Sequence, residues 1–228
     1  LMFYLLVNDD NQDSVPVGLI NGVVKIENND TPLKKDFPYM SDYLESGDEL
    51  VLELKDKKNE KKLNFDFREH QGFIISHAFW EVISDYKLAK HYPLKPLKVK
   101  IKDEYLNKTD LLYLCFNFGE RQTHDGRDIF KREDILDKNK SKGFLSVNGR
   151  SYIPEVIVFN SECQGYDAFM FGDLPVGGFK MVVSDVLKNK LQSENLRGFK
   201  FINVDAWREL FPFYNESEHL PKKIRRLP

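Results

Sequence analysis

The sequence predicts an α+β fold, mainly antiparallel sheet with a few helices, and three observations carry that prediction. Apolar residues alternate with a period of two in short runs, as Leu50, Leu52 and Leu54 do in "ELVLELK" (49–55). Aromatic side chains are frequent, with 18 Phe and 10 Tyr, and such rings suit the pleated, half-buried surface of a strand. Helix-like runs are few and fall among strand-like runs without regular alternation, which argues against a parallel βαβ architecture.

Taken in order, "MFYLLV" (2–7) is a buried strand, and "NDDNQDS" (8–14) is an acidic loop. Asn21-Gly22 tolerates positive φ and marks a tight turn within 15–26. Residues 49–55 and "KLNFDF" (62–67) both alternate, so they are expected to pair as a hairpin with the charged run 56–62 as its solvated tip. In "GFIISHAFWEVISDY" (72–86) a strand leads into Ser76, whose hydroxyl can cap a helix. Phe79, Val82, Ile83 and Tyr86 then share one helical face. "PLKVKIK" (96–102) places Leu97, Val99 and Ile101 inward and Lys98, Lys100 and Lys102 outward. Further strands are expected at 110–118, 155–160 and 168–174, with a hairpin over 144–153 through Asn148-Gly149.

A second strand–Ser–helix unit closes the series. "GFKMVVSDVLKNKLQ" runs from an apolar strand through Ser184 into a helix with Leu187 and Leu191 on one face. Asp185 suits the positive end of that helix, and "FKFINV" (199–204) is the return strand after Gly198. The recurrence suggests two similar strand–Ser–helix–strand halves, about 1–108 and 109–228, within one domain spanning 1–228.

Composition excludes several classes of function. A formal net charge of −2 argues against a polyanion-binding protein by bulk charge, and "KKIRR" (222–226) reads as a solvated basic tail. Cys115 and Cys163 are too few for a disulfide framework and read as reduced thiols. The opening "LMFYLLVNDD" lacks the basic start and the longer apolar stretch of a signal peptide, and no run approaches a membrane span. A cytoplasmic protein is expected.

The search for chemistry yields little. A serine between strand and helix invites a nucleophile-elbow reading, but neither "IISHA" nor "VVSDV" has the flanking glycines that the strained turn requires. Both serines read as helix caps. The five histidines, at 70, 77, 91, 124 and 219, form no zinc-binding pair. "DLPVGG" (173–178) lacks the Lys-Ser or Lys-Thr of a phosphate loop. The densest polar stretch is "GERQTHDGRD" (119–128), with Glu120, Arg121, His124, Asp125, Arg127 and Asp128. It admits a phosphoester or nucleic-acid hydrolase, with His124 as base, arginine on phosphate, and Asp125 and Asp128 on a metal. Asp125-Gly126 is also a turn signal, so the stretch reads first as a decorated loop between strands, and if it acts, charge-directed docking on a protein fits it as well as catalysis does.

The stretch "MVVSDVLKNKLQSENLRGFKFINV" (181–204), with "FYLLVNDD", "VPVGLI" and "FIISHAFWEVI", resembles the bacterial immunity proteins of polymorphic toxin systems, in the groups numbered eleven and forty-three. The resemblance implies a cytosolic non-enzyme whose partner is a cognate toxin domain, and it carries over no catalytic residue. No cofactor, metal, nucleic-acid or membrane partner is expected. Candidate toxin-facing residues are Asp9, Asp10 and Asp13 in the acidic loop, which could mimic phosphate against a basic nuclease toxin, and the charged residues of 119–128.

Overall fold

The computed structural model describes residues 2–9, 22–27, 49–55, 63–69, 72–91, 93–101, 104–106, 113–116, 135–145, 152–171 and 180–210. They form thirteen strands, two α-helices and two 3₁₀ turns. The strands are β1 (Phe3–Asn8), β2 (Gly22–Ile26), β3 (Leu50–Leu54), β4 (Phe67–Glu69), β5 (Phe73–Ser76), β6 (Lys95–Ile101) and β7 (Glu104–Tyr105). There follow β8 (Tyr113–Phe116), β9 (Lys142–Leu145), β10 (Tyr152–Val156), β11 (Ala168–Phe171), β12 (Lys180–Ser184) and β13 (Phe199–Asn203). Helix α1 spans His77–Ser84 and helix α2 spans Asp185–Ser193; the 3₁₀ turns cover Cys163–Gly165 and Val204–Leu210.

The expected α+β class is observed. One sheet has the order β11-β12-β1-β13 and is antiparallel throughout. A second has the order β2-β3-β6-β8-β5-β4, with β7 on β6, and its only parallel pair among the described residues is β3 with β6. β9 and β10 make the expected hairpin, whose tip lies outside the described residues.

The hairpin expected between 49–55 and 62–67 does not form. β3 pairs with β2 and β6 instead, while Leu63 and Phe65 lie in no strand. Their alternation has another cause. Leu63 and Phe65 are buried in the same apolar cluster as Leu50, Leu52 and Leu54, so they cover β3's sheet face without joining its ladder. Alternation reports which side chains are buried and is silent about the strand partner.

Two cores result. The larger gathers β1, β11, β12 and β13 with both helices, around rings in edge-to-face contact: Phe3 with Phe159 at 5.2 Å, and Phe79 with Phe199 at 5.5 Å. The smaller is built on Val24, the β3 leucines, Leu97, Val99 and Ile101. β5 divides them: Phe73 and Ile75 face the larger core and Ile74 the smaller. Burial on both faces explains why "FII" is a continuous apolar run. Trp207, in the second 3₁₀ turn, is buried and donates its indole N–H to the Pro154 carbonyl at 3.2 Å, fastening that turn to β10.

Gly198 closes the turn between α2 and β13 with φ of 97°. A Cβ there would stand 2.6 Å from Phe65 Cβ and 2.9 Å from the Phe67 carbonyl oxygen. Gly198→Ala therefore meets both the left-handed penalty and a backbone overlap. We expect a loss of about 2–4 kcal/mol, read as a lower urea midpoint at unchanged slope.

Candidate functional site

The two serines that sequence singles out are held in the same way. Ser76 Oγ accepts from the Phe79 N–H at 3.1 Å and donates to Asp66 Oδ1 at 2.7 Å. Ser184 Oγ accepts from the Leu187 N–H at 3.2 Å and donates to Asp167 Oδ1 at 2.8 Å. Each hydroxyl thus satisfies one free first-turn amide of its helix and donates its own hydrogen bond to a carboxylate. The expected capping role is observed at both. The Asp partners were not legible from motif, because Asp66 and Asp167 precede their serines by ten and seventeen residues. His77, beside Ser76, is solvent-exposed at the start of α1.

Of the candidate toxin-facing residues, Asp9 alone falls among the described residues. It is half-buried and leaves β1 with its N–H donated to the Gly198 carbonyl at 3.0 Å. Asp10, Asp13, Glu120, Arg121, His124, Asp125, Arg127 and Asp128 lie outside the described residues, as do the basic run 222–226 and the stretch 173–178. Among the described residues no three His, Cys, Asp or Glu side chains gather to hold a metal ion, and no helix is long and apolar enough to cross a membrane.

A polar seam that sequence reading missed joins the two large sheets. Lys180 on β12 reaches Glu69 Oε1 on β4 at 2.5 Å, and both side chains are largely buried. Asn8 on β1 completes the seam, its Oδ1 accepting from the Glu69 N–H at 2.8 Å. Burial pushes the Glu69 carboxyl above its ordinary value, and the Lys180 ammonium pulls it only partly back. The one available signal was weak: Lys180 interrupts an apolar strand in "FKMVV" at a position that period-two reading places on a buried face.

The outer face of β2, β3 and β6 is of another kind. Lys25 pairs with Glu53, Lys98 with Glu49 and with Glu27 at 3.3 Å, and Lys100 with Glu27 at 3.4 Å. The Lys100 ammonium also lies 4.3 Å from the centre of the exposed Tyr105 ring. The Lys25–Glu53 and Lys98–Glu49 pairs are open to water and screened by salt, so they contribute little to stability, whereas Glu27 is shielded between Lys98 and Lys100. Cys163 is buried under the first 3₁₀ turn, where burial and then the neighbouring Glu162 push its thiol up to about 12. It stays protonated at neutral pH, which removes the thiolate that nucleophilic chemistry needs.

The fold and these sites define an α+β protein of mainly antiparallel sheet whose strand–helix junctions are stapled by serine and aspartate. Residues 26–217 match the family model described as Immunity protein 43, and the chain belongs to that family. It is the second of the two groups that the sequence resembles. No curated protein matches the chain.

Two outcomes follow from this geometry. Lys180→Met strands a buried carboxylate and should cost about 3 kcal/mol, whereas Lys180→Met with Glu69→Leu should return to within about 1 kcal/mol of the parent; urea titration of the three proteins checks both. Cys163 should resist iodoacetamide at pH 8 in the folded protein and react once urea unfolds it, as mass spectrometry would show.

Proposed function

We propose that this protein binds a cognate bacterial toxin domain in the cytoplasm and neutralises it by occupying its surface, without catalysis. The observation that supports this reading is the match of residues 26–217 to an immunity-protein family. The capping duty of both junction serines and the protonated state of Cys163 agree with it, since each is engaged in holding the fold.

The proposed toxin-facing residues are Asp9, Asp10 and Asp13 together with Glu120, Arg121, His124, Asp125, Arg127 and Asp128. Their chemistry supports the assignment. Charged groups clustered on connecting segments steer encounter and select a partner, while affinity rests on a few buried anchors. An acidic segment would be drawn to the basic surface of a toxin that acts on nucleic acid.

The test is co-expression with the toxin encoded beside it. The protein should restore growth and form a stable complex with the isolated toxin domain. Failure on both counts overturns the proposal. Replacing Asp10 and Asp13 by Lys should slow association about tenfold at low salt and leave folding unchanged. An unchanged rate would move the interface elsewhere without touching the function.

A further inference from the structure

The strand–Ser–helix unit that occurs twice is more than a local likeness. In the first unit Asp66 immediately precedes β4, and Ser76 ends β5, which pairs with β4. In the second, Asp167 immediately precedes β11, and Ser184 ends β12, which pairs with β11. The serine amide donates to the aspartate carbonyl in both, at 2.9 Å for Ser76 and 2.8 Å for Ser184. The serine hydroxyl donates to Oδ1 of the same aspartate in both. The third and seventh residues after each serine, Phe79 and Ile83 or Leu187 and Leu191, are the buried helix positions.

Each aspartate is completed by the other unit. Asp66 Oδ2 accepts from the Arg197 N–H at 2.8 Å, just beyond α2, and the Asp66 N–H donates to the Arg197 carbonyl at 2.8 Å. Asp167 Oδ2 accepts from the Lys87 N–H at 3.1 Å, just beyond α1, and the Asp167 N–H donates to the Lys87 carbonyl at 2.7 Å. Helix α1 therefore starts at the Asp66 clasp and ends at the Asp167 clasp. Helix α2 starts at the Asp167 clasp and ends at the Asp66 clasp. The helices lie antiparallel as two struts between two joints, and they touch each other.

We infer that the chain contains two copies of one unit, interlocked through the Asp66–Ser76–Arg197 and Asp167–Ser184–Lys87 clasps, and that the two clasps open together. A carboxylate that loses its amide donor at one joint frees the end of one helix and the start of the other. Both rigid helices then lose the anchoring that holds the far joint in register. The device sets the cooperativity of the helical layer and takes no part in binding a ligand.

Native-state hydrogen exchange at low urea tests this. Asp167→Ala removes the acceptor for the Lys87 amide directly. The inference expects a roughly tenfold faster exchange at the remote joint too, at the Phe79 and Arg197 amides. The Leu52 amide on β3, a strand paired on both sides and outside both units, should keep its protection. Asp66→Ala should give the mirrored result, with Leu187 and Lys87 as the remote reporters. Ser184→Ala, which leaves the carboxylate in place, serves if the aspartate variants do not fold. Faster exchange confined to the altered joint would overturn the inference, since the clasps would then be independent. An equal rise at Leu52 would overturn it too, because the effect would be loss of global stability.

Discussion

The structure depends on the position of its first strand. β1 lies in the interior of the smaller of the two large sheets, with β12 on one side and β13 on the other, so residues 3–8 pair with residues 181–184 and 199–203. Leu5, Leu6 and Val7 are buried in succession, which a strand achieves only when both of its faces are covered. This ladder cannot close until most of the chain is present, and the entropy of that closure must be met by non-local contacts. Much follows from it. The end of β1 brings Asn8 to Glu69, and with it the edge of the second sheet; the next residue, Asp9, donates its N–H to the Gly198 carbonyl.

The charged groups divide by their access to water. On the face of β2, β3 and β6, Lys25 with Glu53 and Lys98 with Glu49 meet as solvated pairs, where Coulomb attraction is weak and side-chain entropy opposes it. The Lys180–Glu69 pair stands where solvent is largely excluded. There the attraction is stronger, but desolvation is the larger effect on Glu69, as the upward displacement of its carboxyl records. A pair of this sort adds little net stability over an apolar replacement. It does penalise any packing of the two sheets that separates the partners, so its contribution is to register.

Much of the fold was legible in the sequence wherever the signal was local. The caps at Ser76 and Ser184, the buried faces of both helices, the inward Leu97, Val99 and Ile101, and the 144–153 hairpin all follow from spacing within a few residues. Partner choice was not legible. The alternation of 62–67 truthfully reports burial of Leu63 and Phe65, yet those residues cover β3 from one face, and β3 takes a parallel neighbour in β6. Glu69 and Lys180 are far apart in the chain, as are Asp66 and Arg197, and no local pattern marks either as paired. Density of charge marks Asp9, Asp10, Asp13 and the polar residues of 119–128, but charge density says nothing of what those side chains meet, and all but Asp9 lie outside the described residues.

The junction serines show why a motif that suggests catalysis is often a matter of helix architecture. A strand that runs straight into a helix leaves the first-turn amides without partners inside a packed core. Serine meets that need with one acceptor, but its own proton then requires an acceptor in turn, and here a carboxylate supplies it. The carboxylate has capacity to spare, which the backbone beyond the opposite helix fills. Each step is forced by the group the previous one leaves unsatisfied, and the chain of donors ends only when it reaches the other unit. A serine and an aspartate in contact at a strand–helix turn are therefore what the burial of two helix starts requires. An activated hydroxyl would need an oxygen free to attack, and here each serine oxygen is aimed at the first-turn amide of its own helix while its aspartate is tied to the backbone beyond the other helix.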